Sequence, residues 1–162
     1  MLTDEAGAAL ERVYSVHADM LYRIAVSILR SDADAQDAVQ NAFCRYLDTM
    51  PAFRDAEHEK AWFIRVTVNQ CRDLMRRRKI RAWLPFEALA DVGVRKAETP
   101  ALDALSALPD KYRAAAVLYH LEGLSVDEIA AALSLSRSAV KMRLSRARQQ
   151  MRDILASDGK GD

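Results

Sequence analysis

Glycine and proline are scarce in this 162-residue chain, with five and four residues, and runs of β-branched residues are few. Both residues interrupt helices, so their scarcity leaves long stretches free to be helical and predicts an all-α chain. Cysteine occurs only twice. Cys44 and Cys71 have neither a C-x-x-C spacing nor paired histidines nearby, which predicts two buried thiols in a reducing cytoplasm rather than a metal site. No apolar run approaches the ~20 residues of a membrane span, so no membrane insertion is expected. The first residues, MLTDEAGAALER, are acidic and lack the basic-then-apolar plan of a signal peptide, consistent with a cytoplasmic protein. His17, His58 and His120 are scattered, there is no glycine-rich phosphate loop, and no nucleophile has a base placed beside it. The chain is therefore expected to be no enzyme, with no catalytic residue, cofactor, metal or small-molecule substrate. His120, in VLYHLEG, reads as a partly buried helix residue. At 51% hydrophobic residues the chain can bury real cores, and wholesale disorder is not expected.

The formal charge of +1 conceals a strong segregation. Residues 1–64 carry 6 basic and 11 acidic side chains, a net of −5, and residues 65–81 carry 7 basic and 1 acidic, a net of +6. Residues 82–136 return to −4, residues 137–152 hold six cations and no acid, and the last ten residues sum to −2. Two separate basic blocks suggest two contact points on one nucleic acid.

The second block lies in the most patterned stretch, Leu124 to Leu155: LSVDEIAAALSLSRSAVKMRLSRARQQMRDIL. Ser125 and Glu128 have the spacing of a capping box, followed by Ile129, Ala130 and Leu133 at helical spacing. Leu133-Ser134-Leu135-Ser136 breaks the pattern, and Ser136 is a good N-cap for a second helix packed on Val140, Leu144, Ala147 and Met151. This is the grammar of a helix-turn-helix DNA reader. Its six cations span about 24 Å at 1.5 Å per residue. Winding the helix puts Ser138, Met142, Ser145, Arg146 and Gln149 opposite the core, with Lys141 at the edge. Ser138, Lys141, Met142, Ser145 and Arg146 are thus candidates for the major groove, and Arg137, Arg143 and Arg148 flank it where phosphates would lie.

In the first half, helical patterns cover residues 5–16 and 18–30, the latter with Leu21, Ile24, Ala25 and Ile28 on one face. Ser31 is placed to cap a helix whose apolar face is Ala33, Ala38, Val39, Ala42, Phe43 and Leu47. Pro51 ends it, AFRDAEHE reads as a polar loop, and a long helix follows from about Glu59 to Arg78. On that helix Ala61, Ile64, Val68, Cys71 and Met75 form a core stripe. Arg65, Asn69, Arg72, Arg76 and Lys79 form an adjacent basic stripe with Trp62 beside it. Cations that track phosphates, an amide and an indole able to stack make a single-strand binding surface. The helical period fades from Lys79 to Pro100, marking a linker; fully extended, its eighteen residues 82–99 span about 60 Å. A short helix then runs from Ala101 to Leu108, and Pro109 starts another that Gly123 ends. The expected organisation is two small helical domains, 1–80 and 101–157, joined by a flexible linker over 81–100.

Three stretches in order, LYRIAVSILRSDADAQDAVQNAFCRYL, FRDAEHEKAWFIRVTVNQCRDLMRRRK and ALPDKYRAAAVLYHLEGLSVDEIAAALSLSRSAVKMRLSRARQQM, cover nearly the whole chain. Together they resemble an extracytoplasmic-function (group IV) RNA polymerase sigma factor of the sigma-70 family. The resemblance implies an initiation factor that binds core polymerase and confers promoter specificity. It implies that the helix Asp34 to Phe43 docks on the clamp helices of the largest polymerase subunit, with contacts from Asp34, Asp37, Gln40 and Asn41. It assigns capture of a melted minus-ten element to the loop from Ala52 to Glu59 and to Trp62, Arg65, Asn69, Arg72, Asp73 and Arg76. It assigns the minus-thirty-five duplex to the C-terminal helix, the RNA exit path to the linker, and an anti-sigma factor as a further partner. Three positions depart from the family pattern: Asn41 stands for an acid, Ser134 for the turn glycine, and Met142 for a small polar residue. A left-handed Ser134 would cost on the order of 1 kcal/mol. Two rival readings fit less well. An autonomous repressor needs a dimerisation helix that nothing after Leu155 is long enough to supply, and a sigma-like mimic would be expected to lose the basic stripes present here.

Overall fold

The computed structural model describes residues 3–81 and 99–159, and every regular element among them is helical. The chain divides into two compact units, Met1–Gly93 and Val94–Asp162. The expected linker falls almost wholly on residues 82–98, outside the described residues.

The first unit consists of α1 (Asp4–Leu29), α2 (Asp32–Thr49) and α3 (Ala56–Arg81), each packed on the other two. Thr3 caps α1, its hydroxyl accepting the Ala6 N–H at 3.2 Å. The two helical patterns expected over 5–16 and 18–30 are one continuous helix. Neither glycine nor proline stands near residue 17, and Val13, His17, Leu21, Ile24 and Ile28 form one buried stripe across the expected break. Each large aliphatic of that stripe contributes about 1.5–3 kcal/mol by burial. α1 closes on a left-handed Arg30, φ 57°, and Ser31 caps α2 as expected by accepting the Asp34 N–H at 3.2 Å. The buried face of α2 is Ala35, Ala38, Val39, Ala42, Phe43 and Tyr46. Ala33, expected in that face, is exposed, and Leu47 is half-buried. The Tyr46 ring packs 5.5 Å from Phe63, which sets the rotation of α2 on its neighbours. Cys44, on the side of α2 opposite Ala35, is exposed, so only one of the two thiols is buried. The other, Cys71, is pushed up to about 12 by burial.

α3 starts three residues earlier than expected, at Ala56. Asp55 accepts the His58 N–H at 2.8 Å, while His58 Nδ1 accepts the Arg54 N–H at 3.1 Å, so this turn is capped from both sides. Its buried surface is wider than one stripe. Ile64, Val68 and Cys71 are covered as expected, and Phe63, Val66, Thr67 and Leu74 are covered as well, because α3 faces both α1 and α2. Ala61 is exposed and Met75 half-buried.

The second unit holds α4 (Pro100–Ser106), α5 (Asp110–Ala116), α6 (Val126–Leu133) and α7 (Arg137–Gly159). Thr99 and Pro100, read from sequence as linker, open α4: Thr99 accepts the Leu102 N–H at 3.2 Å and Pro100 fills the first turn. α5 runs on into a π-helical turn, Val117–Leu121, where the sequence pattern predicts a uniform helix. The wider turn bonds Glu122 N–H to the Val117 carbonyl at 3.3 Å and Leu124 N–H to the Leu118 carbonyl at 3.0 Å. Gly123, φ 68°, makes the left-handed exit. His120, expected to be partly buried, lies exposed on this turn. α7 packs on α4, α5 and α6, enclosing Leu105, Leu108, Leu118, Ile129, Leu133 and Val140.

Candidate nucleic-acid interface

The pair α6 and α7 is built as its capping residues dictate. Ser125 accepts the Glu128 N–H at 3.1 Å and Glu128 accepts the Ser125 N–H at 3.0 Å, a complete capping box. Ile129, Ala132 and Leu133 are buried; Ala132 takes the place expected for Ala130, which is half-buried. The turn passes through Ser134 with φ 55° and ψ 47°, closed by Leu135 N–H on the Ala130 carbonyl at 2.9 Å. Ser134 therefore holds the left-handed conformation that glycine adopts without strain. Ser136 then accepts the Ala139 N–H at 3.1 Å and starts α7.

With Val140, Leu144 and Ala147 buried, the opposite face of α7 presents Ser138, Lys141, Met142, Ser145, Arg146 and Gln149, all exposed. The flanking cations are tied to the scaffold. Arg137 pairs with Asp127 of α6 at 3.0 Å, and Arg143 donates to the Lys111 carbonyl of α5 at 3.2 Å. The two bonds join α7 to α6 and to α5 at the exposed surface. Although His120 is exposed as a residue, its ring is partly desolvated, and that desolvation, then the charge of nearby Arg148, lower the imidazole pKa.

On α3 the expected stripe is assembled: Arg65, Asn69, Arg76 and Lys79 are exposed and Arg72 is partly so. Asp73 pairs with Arg76 within this surface at 2.5 Å. Trp62 is half-buried, packed edge-on against Phe63 at 4.9 Å and Phe53 at 5.8 Å, with Tyr46 at 6.3 Å. This aromatic cluster holds the indole at the border between core and basic stripe. The expected polar loop is shorter than Ala52–Glu59, since Ala56 to Glu59 already form the first turn of α3.

Glu59 belongs to the core rather than to the surface, a placement sequence reasoning missed. Its carboxylate accepts two bonds from Arg12, at 3.1 and 3.0 Å, and faces His17 Nε2 at 2.8 Å. Burial pushes the Glu59 carboxyl up, but the bonds from Arg12 and His17 outweigh it and hold the group below its usual range. His17 stacks on Phe63 at 4.8 Å. The sequence carried a signal for this: His17 falls on the apolar stripe of α1, four residues from both Val13 and Leu21. Arg113 was also missed; it is buried and donates to the Leu108 carbonyl and to Asp110, each at 2.7 Å.

On α2, Asp37, Gln40 and Asn41 are exposed on the face away from the core. Asp34 is not free in the same way: it accepts two bonds from Arg78 of α3, at 3.0 and 2.6 Å, with both side chains mostly covered. Among the described residues no cluster of His, Cys, Asp and Glu has a metal-binding arrangement, and no helix is long and apolar enough to cross a membrane.

Residues 13–81 match the family model described as sigma-70 region 2, and residues 100–151 match the one described as sigma-70, region 4. The chain is 36% identical over 156 residues to the ECF RNA polymerase sigma factor SigE of Mycolicibacterium smegmatis, covering 86% of this chain and 59% of that protein. It is 31% identical over 151 residues to the ECF RNA polymerase sigma factor SigM of Mycobacterium tuberculosis, covering 91% of this chain and 77% of that one. Among solved structures, the sigma factor RpoE from Bartonella quintana, in complex with the anti-sigma factor NepR, shares the fold with a TM-score of 0.72 at 23% identity, covering 91% of this chain and 97% of that one. With both region models matched in chain order and SigM aligned over most of its length, this chain belongs to the ECF RNA polymerase sigma factors of the sigma-70 family.

Proposed function

We propose that this chain docks on core RNA polymerase and directs it to promoters, with α7 reading a duplex upstream element and α3 holding a melted downstream element. The observation that carries the reading is the pair of exposed cationic helix faces, one on each compact unit. One lies on the second helix of a capped helix-turn-helix, and the other adjoins an amide and an indole. A duplex reader needs a protruding helix with cations and hydroxyls toward base edges, which α7 has. Single-strand capture needs cations for phosphates and a surface for unstacked bases, and unstacking costs a few kcal/mol that only open-strand contacts offset. Arg65, Asn69, Arg72, Asp73, Arg76 and Trp62 serve that role in this reading, with the turn before α3.

Polymerase docking is assigned to the outward face of α2, through Asp37, Gln40 and Asn41, with Asp34 acting from its bond to Arg78. The partner surface is the clamp helices of the largest subunit. The residues 1–80 thus serve docking and the downstream element, residues 101–157 the upstream element, and residues 81–100 join them. The protein acts in the cytoplasm and performs no chemistry of its own. RpoE, solved with an anti-sigma factor, supports assigning a similar inhibitor to this chain.

Core polymerase supplemented with the purified chain should give run-off transcripts from a subset of genomic promoters that core alone does not transcribe. Stable protein that yields no promoter-dependent transcript from any genomic template would end the proposal.

A further inference from the structure

We propose that Met142 is a specificity residue that reads the 5-methyl group of a thymine in the upstream element. The inference rests on the major-groove placement of α7 proposed above. Met142 is 52% exposed, although its neighbours on the same face are polar or charged. At 100° per residue it lies opposite the buried Val140, Leu144 and Ala147, near the middle of the outward face. Ser138 stands one turn before it and Ser145 and Arg146 one turn after, all exposed. It sits in the second turn of α7, in the N-terminal part of a recognition helix that meets base edges.

The chemistry of the side chain narrows what it can recognise. A thioether donates no hydrogen bond and accepts only weakly, so it cannot use the donor and acceptor code of the groove. The one apolar mark a base pair shows in the major groove is the thymine methyl. Among the described residues of this face Met142 is the only large apolar side chain, the other exposed positions being Ser138, Lys141, Ser145, Arg146, Gln149 and Asp153. Serine bonds to several base edges and gives little selection on its own, so the apolar contact is what distinguishes this face. The unbranched, polarizable chain can adapt to a methyl whose exact height varies with local duplex shape.

The test uses the full chain assembled with core polymerase and a duplex upstream element selected by it from randomised DNA. Each thymine is replaced in turn by deoxyuridine, which lacks only the methyl. At one position this should weaken binding about fourfold, the worth of one buried methyl-sized group. At that position cytosine should bind less well than 5-methylcytosine by a similar factor. Met142→Leu should keep both steps and Met142→Gln should abolish both. Absence of a deoxyuridine step at every thymine, or a step that persists in Met142→Gln, overturns the inference. If the selected duplex binds no better than a scrambled one, the groove reading itself falls with it; if it binds better without any methyl step, only the role of Met142 falls.

Discussion

At Ser134 a single side chain sits in the left-handed region, φ 55°, in the turn between α6 and α7. A β-carbon there meets the following carbonyl, a strain of about 1 kcal/mol that glycine lacks. Ser134→Gly should therefore raise the stability of the second unit by about 0.5–1 kcal/mol, and Ser134→Val should lower it by more than 1 kcal/mol, both measurable as shifts in denaturant midpoint. Glu59 is the matching case in the first unit. It is buried between Arg12 and His17, while the Arg12 side chain is 57% exposed and keeps much of its hydration. Glu59→Gln should accordingly cost about 2 kcal/mol at neutral pH, below the value for a fully buried pair. The carboxyl is held below its ordinary value of 4.5, so its contribution is complete above that pH and is lost as pH falls through the lower native value. Unfolding curves of wild type and Glu59→Gln should thus differ at pH 6, and the difference should shrink progressively as pH falls below 4.5.

At the scale of elements, the decisive fact is which face of each helix its neighbours cover. The carboxylates of α2 illustrate it. Asp34 and Asp37 are both acids three residues apart, yet Asp34 is bound by Arg78 and Asp37 is exposed. Asp34→Ala should destabilise the first unit by about 1–2 kcal/mol. Asp37→Ala should leave the unfolding midpoint within about 0.5 kcal/mol and weaken binding to core polymerase in a pull-down titration. Local signals proved reliable where they concern backbone hydrogen bonds: Ser31, Ser125, Glu128 and Ser136 cap where their spacing says they should, because a cap is satisfied within four residues. The exposed stripe of α3 and the outward face of α7 were legible for a related reason, since 3.6-residue periodicity alone sorts cations from apolar positions. Less was legible where two neighbours share one helix. A single stripe on α3 omits Phe63, Val66, Thr67 and Leu74, because nothing in the local period says that both α1 and α2 cover it.

For the whole molecule, the two compact units each enclose their own core, which argues for independent folding. Fragments 1–93 and 94–162, prepared separately, should each be helical by circular dichroism, and their summed spectrum should match that of the intact chain. A fragment that is unfolded alone would show that the proposed domain boundary is misplaced. Charge acts at the same scale. The basic blocks of +6 at 65–81 and 137–152 are separated by one acidic segment, 82–136, so positive charge is concentrated in two stretches rather than spread over the chain.

Sequence by itself determined that the chain is helical, where its helices are capped, and where its cations gather, because helix propensity, capping and charge are local properties of neighbouring residues. It also carried the motifs that match sigma-70 regions 2 and 4. Only the tertiary structure decided that Glu59 is a core residue, that Arg78 binds Asp34, and that Arg113 holds the Leu108 carbonyl. Each of the three joins groups whose pairing depends on packing, and for His17 with Glu59 and Arg78 with Asp34 the partners are more than forty residues apart. A charged side chain in a sequence looks the same whether water or a partner will solvate it; which of the two occurs is settled by the helices that come to lie against it.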